Sequence, residues 1–174
     1  MSYATVEDDE ARCPASKPTP CVSPEETIAR LLHSKLLSED GTLSFSAFQI
    51  DHLRLIDKKG SPADHLCGES GGVSIQRCPP LDEGALVEKA RSIFDNEVRR
   101  GKGAVLGDVN YLRDIRVDGF DQQVVFIIAD GSDADAGHAV MRLHPDLPAT
   151  LHKKVREMIW RHFERRPVPD PRPE

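Results

Sequence analysis

The stretch QQVVFIIADGSDADAGHAVMRLH, residues 122–144, decides how this chain is read. Residues 124–129 are apolar at every position, so a strand there would be buried on both faces. That pattern predicts a central strand, covered by a helix on at least one side. Residues 130–137 are rich in Asp, Gly and Ser, which is turn composition. Residues 138–144 then alternate. His138, Val140, Arg142 and His144 share one parity, and Ala139, Met141 and Leu143 the other. The stretch therefore predicts two strands joined by a turn.

Further elements lie on either side. Pro148 opens a final helix, with Leu151, Val155, Met158, Ile159, His162 and Phe163 on one face. Upstream, residues 104–117 lead through Asp118-Gly119 into the quoted stretch, and an Asp-Gly between two such runs predicts a hairpin. Residues 81–103 predict a helix with Leu86, Val87, Ala90, Ile93, Phe94 and Val98 in one stripe and Gly101 as its stop. Residues 73–77 read as a short strand after a loop over 58–72. Leu43, Phe45 and Ala47 alternate with polar residues, again a strand pattern. At the start, Ser23, Pro24 and Glu26 form a capping box ahead of Ile28, Leu31 and Leu32, which predicts a helix.

Together these elements predict a single α+β domain over 23–166, with a mostly antiparallel sheet and about three packed helices. Residues 1–22 and 167–174 read as disordered tails, because charge, proline and small residues leave too little to bury. The chain has 174 residues, which suits one domain. Its net charge of −6 argues against a protein whose main task is gripping phosphate backbones. The last helix is locally basic, with Lys153, Lys154, Arg156, Arg161, Arg165 and Arg166, and it is the only hint of nucleic-acid binding. No apolar run is long enough for a membrane span, and residues 1–10 lack the apolar core of a signal peptide. A cytoplasmic protein is expected, with Cys13, Cys21, Cys67 and Cys78 reduced.

Four segments, residues 39–48 (EDGTLSFSAF), 71–77 (GGVSIQR), 103–115 (GAVLGDVNYLRDI) and 136–148 (AGHAVMRLHPDLP), resemble in order and spacing a family of small uncharacterised bacterial proteins. The resemblance spans roughly residues 30–145, with Gly137 where that family has a proline. It implies a compact bacterial domain, often a subunit beside larger partners, and it places a histidine at His138.

Several motifs carry candidate chemistry. Gly68-Glu69-Ser70-Gly71-Gly72 imitates the nucleophile motif of chymotrypsin-like proteases, but Ser70 comes too early for two β-barrels to precede it. Three glycines in five residues make a turn instead. His65, Cys67 and Cys78 lack a paired Cys-x-x-Cys, and a fourth ligand would have to come from afar, such as His52 or Asp64, so no metal site is assigned. Counted from Asp133, a calcium loop would need glycine at His138 and glutamate at His144, so that register fails. No cofactor motif is present. The remaining candidate is the face bearing His138, Arg142 and His144. Imidazoles titrate near neutrality and a guanidinium grips carboxylate or phosphate with a planar fork. These residues form a candidate anion- or substrate-binding site.

Two functions follow. The first is a non-catalytic interaction protein, a subunit or adaptor with a protein partner, which fits the lack of a complete catalytic set. The alternative is a small hydrolase or transferase acting on an anionic substrate, with His138 as acid or base. The enzyme needs a concave pocket holding His138 and a second convergent polar group. The adaptor needs an exposed apolar patch.

Overall fold

The computed structural model of the chain describes residues 21–54, 72–78 and 81–173. These build an α+β fold with a six-stranded antiparallel sheet and four α-helices. Strands β1 (Thr27–His33), β2 (Val73–Cys78), β3 (Gly101–Asp108), β4 (Val125–Ala129), β5 (His138–Leu143) and β6 (Pro167–Pro169) lie in the order β4-β5-β2-β1-β3-β6. The helices are α1 (Ile50–Leu53), α2 (Glu83–Phe94), α3 (Val109–Arg113) and α4 (Ala149–Phe163).

The sheet carries a core on each face. On one, Ile28, Val105, Ile127, Ala139 and Met141 pack with Val155, Ile159 and Phe163 of α4. On the other, Ala29, Leu31, Ala104 and Val168 pack with Leu86, Val87 and Ala90 of α2. Helix α2 therefore covers β1, β3 and β6, while β2 and β5 run past its flank.

The helix expected after Ser23 is strand β1, which is hydrogen-bonded between β2 and β3. Ile28 and Leu32 join one core and Ala29 and Leu31 the other. A strand buried on both faces thus reproduces helical spacing. The capping-box residues close a turn instead. Glu26 Oε1 accepts from Ser23 N at 2.8 Å, and Ser23 O accepts from Glu26 N at 3.1 Å. The same carboxylate then receives the Arg77 guanidinium at 2.7 and 2.5 Å, tying the turn to β2.

The run 124–129 is fully buried, yet β4 lies at the rim of the sheet and not at its centre. Burial on both faces says nothing about lateral position. Side chains close this rim: Arg113 Nη2 donates to Ile127 O at 3.1 Å and Gln123 Nε2 to Val125 O at 2.8 Å. Such capping blunts an edge that would otherwise pair with another chain.

Other expectations change locally. The Asp118-Gly119 turn joins no hairpin; β3 runs into α3, and only a single Val117–Phe120 bridge forms. The residues 45–48 make a 3₁₀ turn, with a lone bridge between Leu37 and Leu43. Helix α2 ends at Phe94, leaving Val98 67% exposed, and Gly101 opens β3 hard against the Ala90 backbone.

The proline-rich end is ordered through residue 173. Val168 enters the α2-side core, and Pro167–Pro169 pairs with β3 as a proline-blunted rim. Asp170 holds it there, accepting from Arg91 at 2.9 and 2.6 Å and from Arg172 Nε at 2.9 Å. Residues 1–20, Ser70, His65 and Cys67 lie outside the described residues.

Candidate functional site

Strands β1 and β2 pair only from Thr27 to Ala29 and then diverge. Arg30 fills the notch. Its Nε donates to Ala47 O at 3.2 Å and its Nη1 to Ser74 O at 2.9 Å. Beside the notch lies a cleft of ≈ 330 Å³, where β2 and β5 pass the end of α2. Arg30, His33, Ser74, Arg99, Asp135 and His138 supply its polar lining, and Ile93 and Phe94 an apolar wall.

The charge in this cleft is mostly positive. Burial lowers the Arg30 pKa to about 10, so the group stays charged at neutral pH, and no carboxylate among the described residues pairs with it. Arg99 likewise has no carboxylate partner among them. The His33 pKa falls through burial and then through the nearby charges of Arg99, Arg30 and Lys35. Asp135, the one acid lining the cleft, is engaged by Lys89 Nζ at 2.7 Å and Gln76 Nε2 at 3.1 Å. Burial pushes its pKa up, but Lys89 and Gln76 outweigh that and hold it below the usual range. The β4–β5 loop is thereby fastened to α2.

His138 sits where that loop enters β5. Its Nε2 lies 2.7 Å from Ser74 Oγ on the adjacent strand. Its Nδ1 faces Asp130 O at 3.3 Å and Asp130 Oδ2 at 3.4 Å. Both of those atoms are acceptors for the neutral ring, so the proton belongs on Nδ1. Nε2 is then a bare lone pair directed at the serine hydroxyl. Asp130 N also donates to His138 O at 3.1 Å, so the aspartate and the histidine close the hairpin reciprocally.

Of the three residues singled out by alternation, only His138 lines the cleft. Arg142 and His144 share its parity but are 5% and 3% exposed. Gly72 packs over Arg142 so closely that a Cβ there would lie 3.2 Å from Arg142 Cγ. His144 is enclosed by Phe120 and Phe126, with Nδ1 accepting from Asp146 N at 3.0 Å. The sequence reading missed Ser74, Asp130, Arg30 and Arg99. Residues 73–77 read as a strand, but nothing in that reading revealed β5 as the neighbour.

Among the described residues no group of His, Cys, Asp and Glu is arranged to hold a metal, and no helix is long and apolar enough to cross a membrane. The Cys78 thiol is pushed up to about 11 by burial, which keeps it protonated and unreactive. The basic face of α4 is partly self-paired, with Arg161 bonded to Glu157 at 2.6 Å. Compared with family models, curated proteins and solved structures, the chain matches none.

Proposed function

We propose that this protein is a small hydrolase or transferase that takes an anionic substrate into the cleft, with His138 as its acid–base group. One observation carries the reading. Arg30 is half-buried, with two carbonyl acceptors and no carboxylate partner among the described residues, in the wall of the cleft that holds His138. Burying a charge is costly unless an opposite charge accompanies it. A substrate carboxylate or phosphate supplies that charge. Arg99 and the protonatable His33 reinforce the preference, and Ile93 and Phe94 form an apolar wall on one side.

The expected protein partner would be favoured by a continuous apolar surface. The large apolar side chains exposed among the described residues are Phe45, Ile93, Val98 and Tyr111. Phe45 lies against Trp160, Tyr111 stacks on His162, and Ile93 lines the cleft itself. That distribution lends more support to the enzyme than to the adaptor.

The test is turnover of paired chromogenic substrates: 4-nitrophenyl phosphate and 4-nitrophenyl hemisuccinate against neutral 4-nitrophenyl acetate. An anionic compound should be preferred, with the preference lost in Arg99→Ala and the rate lost in His138→Ala. Equal use of charged and neutral esters, or a His138→Ala variant at full rate, rules the proposal out.

A further inference from the structure

We infer that Ser74 is the nucleophile of this site and that the protein forms a covalent acyl-enzyme with small carboxylic esters that carry a separate anionic group. The inference rests on the reading of the cleft given above and extends it to a named attacking atom. A serine hydroxyl is a weak nucleophile until a base takes its proton, and the base must lie within hydrogen-bond reach. Ser74 Oγ is 2.7 Å from His138 Nε2. The base must also present its lone pair to the hydroxyl, and the two acceptors at Nδ1, Asp130 O and Asp130 Oδ2, fix that tautomer. Ser74 is exposed and lines the cleft, so a substrate can reach Oγ. Its carbonyl receives Arg30 Nη1 at 2.9 Å, which holds a positive charge next to the attacking residue. The roles match a Ser-His-Asp triad, which is recognised by geometry and not by order along the chain. Here that order is Ser74, Asp130, His138.

The chemistry closes. His138 Nε2 takes the Ser74 hydroxyl proton as Oγ bonds to the ester carbonyl carbon, and the carbonyl electron pair moves onto oxygen. Collapse of that oxyanion breaks the bond to the leaving alkoxide, which receives the proton from Nε2. Water then attacks the acyl carbon, gives a proton to Nε2, and the second collapse releases the acid. Ser74 Oγ leaves and regains its proton. Asp130 touches no reacting atom and acts as a positioning residue.

The experiment is labelling of the full chain with a fluorophosphonate, followed by peptide mass spectrometry, alongside steady-state hydrolysis of 4-nitrophenyl hemisuccinate. Wild type should carry the adduct on Ser74. Ser74→Ala should lose both the adduct and, by about 100-fold or more, the hydrolysis rate, with an unchanged circular dichroism spectrum. Ser74→Cys gives a second readout, a stable thioester seen as an added acyl mass on that peptide. An adduct on another residue, no adduct on any, or a Ser74→Ala variant at full rate overturns the inference. If hydrolysis then still depends on His138 and Arg99, the broader enzyme reading stands with water as the direct attacker. If that dependence is absent as well, both fall.

Discussion

Ser74 Oγ and His138 Nε2 meet at 2.7 Å although 64 residues separate them, because β2 and β5 pair with Gln76 opposite His138 and Ser74 two residues along. Such diagonal neighbours on one face of an antiparallel pair are within side-chain reach. The contact is therefore set by strand register, and a rigid sheet holds it.

Asp130 offers His138 two acceptors, a carboxylate oxygen and its own carbonyl. Asp130→Asn removes the charge and leaves the carbonyl. Turnover should fall less than in His138→Ala, by about 10-fold against about 100-fold or more. The loss should appear in kcat with KM nearly unchanged, as befits a group acting through the imidazole. A rise in KM at constant kcat would instead mark Asp130 as a substrate contact.

Acid should weaken the fold before its carboxylates titrate. His33, His144 and His162 each accept a backbone amide through a ring nitrogen, from Lys35, Asp146 and Asp108 respectively. Burial, first among the causes, lowers all three pKa values. The unfolded chain then binds protons at higher pH than the folded one. Stability is complete above the unfolded histidine value of about 6.5 and declines as pH falls below it. Urea midpoints at pH 7.5 and 5.5 should show the drop, and a His144→Asn, His162→Gln double variant should reduce it, leaving the His33 share. A midpoint that stays level across this interval in wild type would contradict the assignment.

Gly103 makes room for the C-terminal strand. Its φ is +84°, and a Cβ there would run into the Val168 carbonyl oxygen. Gly103→Ala combines left-handed strain with a backbone clash and should cost roughly 2 kcal/mol or more. Val168→Ala, which leaves the backbone alone, should cost about 1.5 kcal/mol for its lost methyl groups. Chemical denaturation of both variants checks the ordering, and equal losses would place the strain elsewhere.

The rim of β4 depends on Arg113, whose Nη2 serves both Ile127 O and Val22 O. Arg113→Ala should destabilise the fold by about 1–3 kcal/mol. It should also raise concentration-dependent association, because it uncovers a backbone acceptor, Ile127 O, on a wholly apolar rim strand. Sedimentation at several concentrations tests the second effect.

Much of the architecture was legible in the residues. The strand at 138–143 follows from alternation, the short strand expected over 73–77 forms over 73–78, α2 and α4 follow from apolar stripes at helical spacing, and the mixed class from their sum. The errors share a cause. Sequence pattern reports which side chains are buried and not by what, so β1, buried on both faces, reads as a helix and rim strand β4 as a central one. At the candidate site, His138 stood out because a titratable group shared a strand parity with Arg142 and His144. Yet those two go under Gly72 and the phenylalanines. Ser74, Asp130, Arg30 and Arg99 converge only through strand order, which no local pattern encodes. The serine that meets the histidine lies four residues after Ser70 of the Gly-rich motif.

The positive cleft is tested most directly by titrating inorganic phosphate into the ¹⁵N-labelled full chain at constant ionic strength and following amide shifts. Saturable shifts should concentrate at Arg30, His33, Ser74, Arg99 and His138, and affinity should fall about tenfold or more in Arg99→Ala. Shifts that cluster instead on the basic face of α4, or that never saturate and ignore the Arg99 substitution, would contradict an anion site in this cleft.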